Sequence, residues 1–316
     1  MNAQPYTREI DPSEGRWKSR LVNSLLRLLV KSGHGLNIDI GKLRKQFGRL
    51  DGQAPKALPK DVQRIEVNCN GVPAQWLAPA DCRPERVLLY IHGGAFVAYT
   101  PEVYAAMVAG WCRPLKARAL MVDYRLAPEH PFPAALDEAL QTYGWLLEQG
   151  HKAENIVIAG DSAGGNLVLA LLQRLRDDRQ PLPSCAVLLS PFLDFTLSGA
   201  SALGNARHDP IFTLAFAIGI RGFYAPAELH GQPAVSPLFG RFDGLPPLLF
   251  QVGSTEMLLD DSVRAAAKAS AAGVPVHLEI WKRLPHVFQM IAALPQALAA
   301  QRHIVSFVNR YTAWDG

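Results

Sequence analysis

Cysteine is scarce in this chain: four in 316 residues, at 69, 82, 112 and 185. They form no CxxC pair, which excludes a zinc-binding spacing and a disulfide framework. Reduced thiols are a simpler reading than a Cys69–Cys82 bridge. Charge is also sparse. Charged residues make up 19% of the chain, below the roughly 25% usual in globular domains, which points to much buried surface. No apolar run approaches the roughly 20 residues that span a bilayer. The most apolar early stretch, 21–30, is interrupted by Arg27. The opening MNAQPYTREID has no basic segment followed by an apolar one, so no secretory leader is expected and a soluble, cytoplasmic protein is. There is no repeat and no low-complexity segment, which excludes solenoids and disordered tails.

What is present is apolar material, 49% of all residues, enough to build a sizeable core. The net charge of +4 is uneven. Residues 1–50 hold ten Lys or Arg and four acids, and the rest of the chain is slightly acidic. Such a segment suits nucleic acid or an anionic membrane. No nucleic-acid motif accompanies it, so the solvated face of amphipathic helices is preferred and no nucleic-acid partner is expected.

Leu21, Val22, Leu25, Leu26 and Leu29 recur at helical spacing, predicting an amphipathic helix over 16–31. A second helix is expected at 39–48, then a linker at 51–61 rich in Pro, Gly and charge. Eight strand-like runs follow, at 63–69, 72–78, 86–91, 118–123, 155–159, 185–190, 247–252 and 275–280. Helical patterns at 102–113, 134–149, 163–177, 258–272 and 296–312 lie between or after them. This alternation predicts an α/β fold, a mostly parallel eight-stranded sheet with helices on both faces. One interval, Pro191 to Pro246, is too long for a simple crossover and carries a helical stretch at 211–224. Residues 1–50 and an insertion at about 195–235 are the candidates for a cap on a catalytic domain at 51–316.

The sharpest local signal is Gly160-Asp161-Ser162-Ala163-Gly164-Gly165-Asn166. It holds G-x-S-x-G directly after a strand and at the start of a helix, the setting in which a nucleophile elbow works. A phosphate-binding turn is the alternative, but no Lys follows as in a P-loop. His92-Gly93-Gly94-Ala95-Phe96 leaves another strand in the same way. The N–H groups of Gly93, Gly94 and Ala163 are the expected oxyanion donors. His92 is read as bracing this loop, and Asp161 as supporting the elbow. A serine nucleophile needs a base and a group to orient it, in the chain order Ser, acid, His. Glu256 is the first carboxylate after strand 247–252, and His286 follows strand 275–280. Asp260 is the alternative acid or a supporting residue, and Asp261 is expected to face solvent. His277 and His303 fall inside a strand and a helix and are weaker candidates for the base.

Three motifs, HGGAF (92–96), GDSAGGN (160–166) and Asp123-Tyr124-Arg125-Leu126-Ala127-Pro128-Glu129, make the chain resemble the hormone-sensitive lipase family of α/β-hydrolases, the bacterial family IV esterases. The resemblance covers residues 60–312, and the elbow has the GDSAG form of that group. It implies an α/β-hydrolase fold with a helical cap. It also implies carboxylesterase activity on short- to medium-chain acyl esters through an acyl-enzyme, with no metal or cofactor. Tyr124 and Glu129 would pack and hydrogen-bond beneath the site. A homodimer through the edge strand 275–280 is a further implication. Two departures stand out: Glu256-Met257 replaces a common Asp-Pro, and Ala95 stands where Gly is frequent. An amidase or formamidase, or a non-catalytic ligand-binding member of the fold, are the alternative functions.

Overall fold

In the structure, a computed structural model, residues 6–11, 15–31, 35, 37–53 and 58–314 are described. All eight anticipated strands form, and a ninth joins them. In chain order the strands are β1 (Thr7–Ile10), β2 (Val62–Cys69), β3 (Val72–Pro79), β4 (Val87–Ile91), β5 (Arg118–Val122), β6 (Ile156–Asp161), β7 (Cys185–Leu189), β8 (Leu248–Gly253) and β9 (Val276–Trp281). The helices are α1 (Arg16–Leu29), α2 (Ile40–Gln53), α3 (Pro101–Leu115), α4 (Ala134–Glu148), α5 (Ala163–Asp177), α6 (Ala200–Gly204), α7 (Leu214–Tyr224), α8 (Leu259–Ala271) and α9 (Pro295–Tyr311). The anticipated linker at 51–61 begins inside α2, and its residues 54–57 lie outside the described ones.

The strands lie side by side in the order β1-β9-β8-β7-β6-β4-β5-β3-β2. The pairs β2–β3 and β3–β5 are antiparallel and the others parallel. The central strands read as unbroken apolar runs because both faces are covered. In β4, Val87, Leu89 and Ile91 turn to one core, and Leu88 and Tyr90 to the other. Side chains of α4, α5 and α8 fill the first layer, and those of α3 and α9 the second. Each fully buried Leu or Ile here contributes about 1.5–3 kcal/mol relative to exposure.

The ninth strand changes two expectations. β1 pairs in parallel with β9, from Thr7 opposite Leu278 to Ile10 opposite Trp281. The run TREI is too short and too charged to announce a strand by alternation. So part of the presumed N-terminal cap belongs to the sheet, and strand 275–280 is not an edge. Its outer hydrogen-bonding side is taken by β1, so two copies cannot pair on it while β1 is seated. None of the four cysteines is in a disulfide. Among the described residues, no helix is long and apolar enough to cross a membrane.

Candidate active site

β4 and β6 are neighbours although β5 lies between them in sequence. At such a reversal the loops leaving the carboxyl ends diverge and leave a crevice. The loop after β4 carries His92 to Phe96, and the turn after β6 carries Ser162. Ser162 has φ 51° and ψ −116°, a conformation that costs a non-glycine residue of order 1–3 kcal/mol. Backbone bonds hold it there: Ser162 N–H donates to Leu189 O at 2.9 Å, and Ser162 O accepts from Phe192 N–H at 3.1 Å. Asn166 reinforces the turn by donating from Nδ2 to Phe192 O at 2.7 Å and Val235 O at 2.9 Å. A Cβ on Gly164 would collide with Ile91 O, so only glycine lets α5 start this close to β4.

Glu256 and His286 meet as anticipated. Glu256 follows β8 and is fully buried. His286 Nδ1 lies 2.8 Å from Glu256 Oε2, which leaves Nε2 free of that pairing. The other oxygen, Oε1, accepts from Ser190 Oγ at 2.8 Å and from Gly253 N–H at 2.5 Å. Ser190 Oγ accepts in turn from Val287 N–H at 3.2 Å, which ties down the residue after His286. Burial works against the charged imidazolium. The hydrogen bond and charge of Glu256, with the charges of Asp209 and Asp161, outweigh it and hold His286 above its ordinary pKa.

The loop after β4 departs from expectation at one atom. Gly93 N–H donates to Asp161 Oδ1 at 2.9 Å, so it is not available as an oxyanion donor. Among the described residues, no hydrogen bond occupies the N–H groups of Gly94, Ala95 or Ala163. Asp161 is buried beside the elbow, where Tyr90 Oη (2.8 Å) and Tyr104 Oη (3.0 Å) also donate to it. Burial pushes its carboxyl up, against the pull of these three bonds.

His92 is held as a brace. Its ring lies between Tyr99 and Tyr124, with centroids at 3.9 and 4.1 Å. Its Nδ1 is 2.6 Å from Gly93 O, and burial drives its pKa down to about 3. It therefore stays neutral, stacked between two tyrosines. Tyr124 Oη donates to His92 O at 2.9 Å, beneath the site as expected. Glu129 instead reaches outward to Arg44 of α2.

A cavity of about 330 Å³ opens over these groups and is lined by Ser162, His286 and Gly94. Its walls come from Leu26 of α1 and Val30 just after it, from Phe47 and Leu50 of α2, and from Ile211 and Phe212. Phe212 stands edge-on to the His286 ring at 4.7 Å. A second space of about 30 Å³ reaches Ser162 from the side of Phe192, Ile220 and Leu258. Among the described residues, no three His, Cys, Asp or Glu side chains gather as metal ligands.

Two carboxylates fall elsewhere than expected. Asp260 makes no described contact with His286 or Glu256; its Oδ2 accepts from Ser201 N–H at 2.9 Å and so fastens α6 to α8. Asp261 is buried rather than solvent-facing, accepting from Leu193 and Asp194 N–H at 2.7 and 3.0 Å. His277 and His303 lie away from the cavity, against Tyr311 and Glu279. The spacing rules did not single out Ser190, Asn205 or Asp209. Asn205 Nδ2 donates to Glu256 O at 2.8 Å, and Asp209 accepts Met257 N–H at 2.9 Å. The only sequence signal for the last two was the excess length of the interval between β7 and β8.

A family model described as alpha/beta hydrolase fold matches residues 88–290. An esterase of Acinetobacter venetianus is 38% identical over 298 residues, covering 93% of this chain and 96% of that protein. The crystal structure of an esterase from the bacterial hormone-sensitive lipase family superposes with a TM-score of 0.86 at 36% identity, over 93% of this chain and 98% of that one. EstE5, solved after soaking with p-nitrophenyl butyrate, also superposes at 0.86 with 36% identity, over 95% and 99% of the two chains. Matched by the family model over residues 88–290 and by esterases at 36–38% identity along nearly its whole length, the chain belongs to the α/β-hydrolase family, in the bacterial hormone-sensitive lipase group.

Proposed function

We propose that this chain is a serine carboxylesterase that cleaves short- to medium-chain acyl esters through an acyl-enzyme. The observation that carries this reading is the His286–Glu256 pair at 2.8 Å, with His286 sharing one cavity with the strained Ser162. His286 Nε2 takes the proton of Ser162 Oγ as that oxygen attacks the ester carbonyl. Glu256 fixes the tautomer and stabilises the imidazolium. The N–H groups of Gly94, Ala95 and Ala163 receive the developing oxyanion. Asp161 acts through Gly93, holding the turn that presents the next two amides. His286 then protonates the leaving alcohol. Water, activated by the same nitrogen, attacks the acyl-enzyme, and Ser162 recovers its proton.

The apolar walls suit an acyl chain, and the modest size of the cavity favours short to medium ones. The soaking of EstE5 with p-nitrophenyl butyrate agrees with that range. We take α1, α2, α6 and α7 as the cap. Four free thiols fit a reducing compartment, so this reading places the enzyme in the cytoplasm. The test is covalent. A fluorophosphonate is expected to add to Ser162, located by peptide mass spectrometry, and Ser162→Ala to abolish both labelling and p-nitrophenyl ester turnover. A tenth of wild-type activity in that variant would sink the assignment. Matched ester and amide substrates separate an esterase from an amidase. An unlabelled wild type would mean a ligand-binding protein.

A further inference from the structure

The apolar face of α1 points the wrong way for a core helix. Trp17, Leu21, Leu25 and Leu29 are 66%, 52%, 46% and 68% exposed. At 3.6 residues per turn they share about a third of the circumference. The buried positions of α1 are polar, Ser19 and Asn23. Asn23 Nδ2 donates to Arg283 O at 2.9 Å, which fixes the polar side inward. Leu50, at the outer end of α2, is 52% exposed and also lines the cavity. Leu26 and Val30 continue from α1 into the same cavity. An apolar path therefore runs from the outer face of α1 towards Ser162.

The charge beside this face is mainly positive. From Arg16 to Ile38 the chain holds five Lys or Arg and no acid. Lys18, Arg20, Lys45 and Arg49 have no ion-pair partner among the described residues. A second copy seated on this face would bring two cationic flanks together, and Asp51, the acid next to Leu50, is already held by the N–H groups of Glu102 and Val103. Anionic headgroups complement both the apolar face and its basic flank, in the manner of a helix lying in a membrane interface.

We propose that α1 and the outer end of α2 dock on an anionic lipid surface, from which an ester enters the cavity between them. The substrate class this adds is an ester dissolved in a lipid layer, and this part rests on the esterase reading above.

Docking is tested apart from turnover by floating the Ser162→Ala protein with vesicles. One set is phosphatidylcholine alone, and the other contains phosphatidylglycerol as well. Binding is expected only to the anionic set and should weaken as salt rises. Adding Leu21→Glu with Leu25→Glu should weaken it by roughly tenfold or more. Lys18→Gln and Arg20→Gln should each weaken it about fivefold. In the active protein these changes should leave soluble p-nitrophenyl acetate turnover unchanged and slow hydrolysis of a vesicle-borne ester. Binding to neither set, or to both equally, overturns the proposal. So does a concentration-dependent dimer that Leu21→Glu dissociates. If the active protein cleaves neither ester, the esterase reading fails, while flotation still decides the docking.

Discussion

Asp209 Oδ2 accepts the backbone N–H of Met257 at 2.9 Å, one residue beyond Glu256. Its other oxygen accepts from Ile211 and Phe212 N–H at 2.8 and 2.9 Å. One buried carboxylate thus locks the cavity wall to the loop that carries the acid.

Asp209→Asn keeps the size and removes the charge. Two consequences are expected. KM should rise as Ile211 and Phe212 loosen. The acid limb of the kcat/KM profile should move to lower pH, because a negative charge that raises His286 is gone. A pH–rate series at saturating and limiting ester checks both. An unmoved acid limb would show that Asp209 acts on the wall alone.

The wild-type profile follows from the same balance. His286 must be neutral to accept a proton, and its folded pKa lies above the ordinary value for histidine. Activity should therefore fall as pH drops through a pKa above about 6.5. Glu256→Gln removes the largest stabiliser of the imidazolium, so the limb should shift downward while kcat falls by about 10⁴. Asp260→Asn should leave kcat within a few-fold, since that side chain holds Ser201. A larger loss there than at Glu256 would reverse the assignment of the acid.

Asp261 makes a stability prediction. Burial raises its carboxyl to about 8, against roughly 3.9 in an unfolded chain. Between those values the native state binds the extra proton, so this group makes stability fall as pH rises from about 4 to about 8. Asp261→Asn should flatten that slope. Urea midpoints across the range measure it, and an unchanged slope would place the ionisation elsewhere.

Arg44 secures α2 through one guanidinium. It donates to Val97 O at 2.7 Å, to Ala127 O at 3.0 Å and to both oxygens of Glu129 at 2.8 and 2.6 Å. Arg44→Ala should destabilise the protein by about 1–3 kcal/mol through the lost carbonyl contacts. KM should rise, because Phe47 and Leu50 of α2 line the cavity. Arg44→Lys should restore only part, since an ammonium cannot fork to four oxygens. Full recovery with Lys would mean that charge alone matters there.

Much of this molecule is legible in its sequence because period and punctuation are local. Helix 163–177 has the bounds anticipated from its pattern, and the eight anticipated strands shift by a residue or two. Ser162, Glu256 and His286 are found by chain order, because the fold brings the ends of β6, β8 and β9 to one side of the sheet. What was hidden depends on partners distant in sequence. A pair of glycines does not tell that the first gives its N–H to Asp161. A carboxylate at the start of α8 looks solvated until the amides of Leu193 and Asp194 are seen against it. Periodicity revealed that α1 has an apolar face but not that the face turns outward. TREI has too few residues for any period to emerge.

The reacting groups stand on strand ends fixed by the core, while the cavity walls come from α1, α2 and the segment after α6. Chemistry and selectivity are thus carried by separate stretches of chain. A library built at Leu26, Val30, Phe47, Ile211 and Phe212 can change which esters are accepted. Positions 93, 94 and 164 leave no room for a side chain and belong outside such a library. The same division gives descendants of this chain a route to new substrates without re-inventing the hydrolytic step.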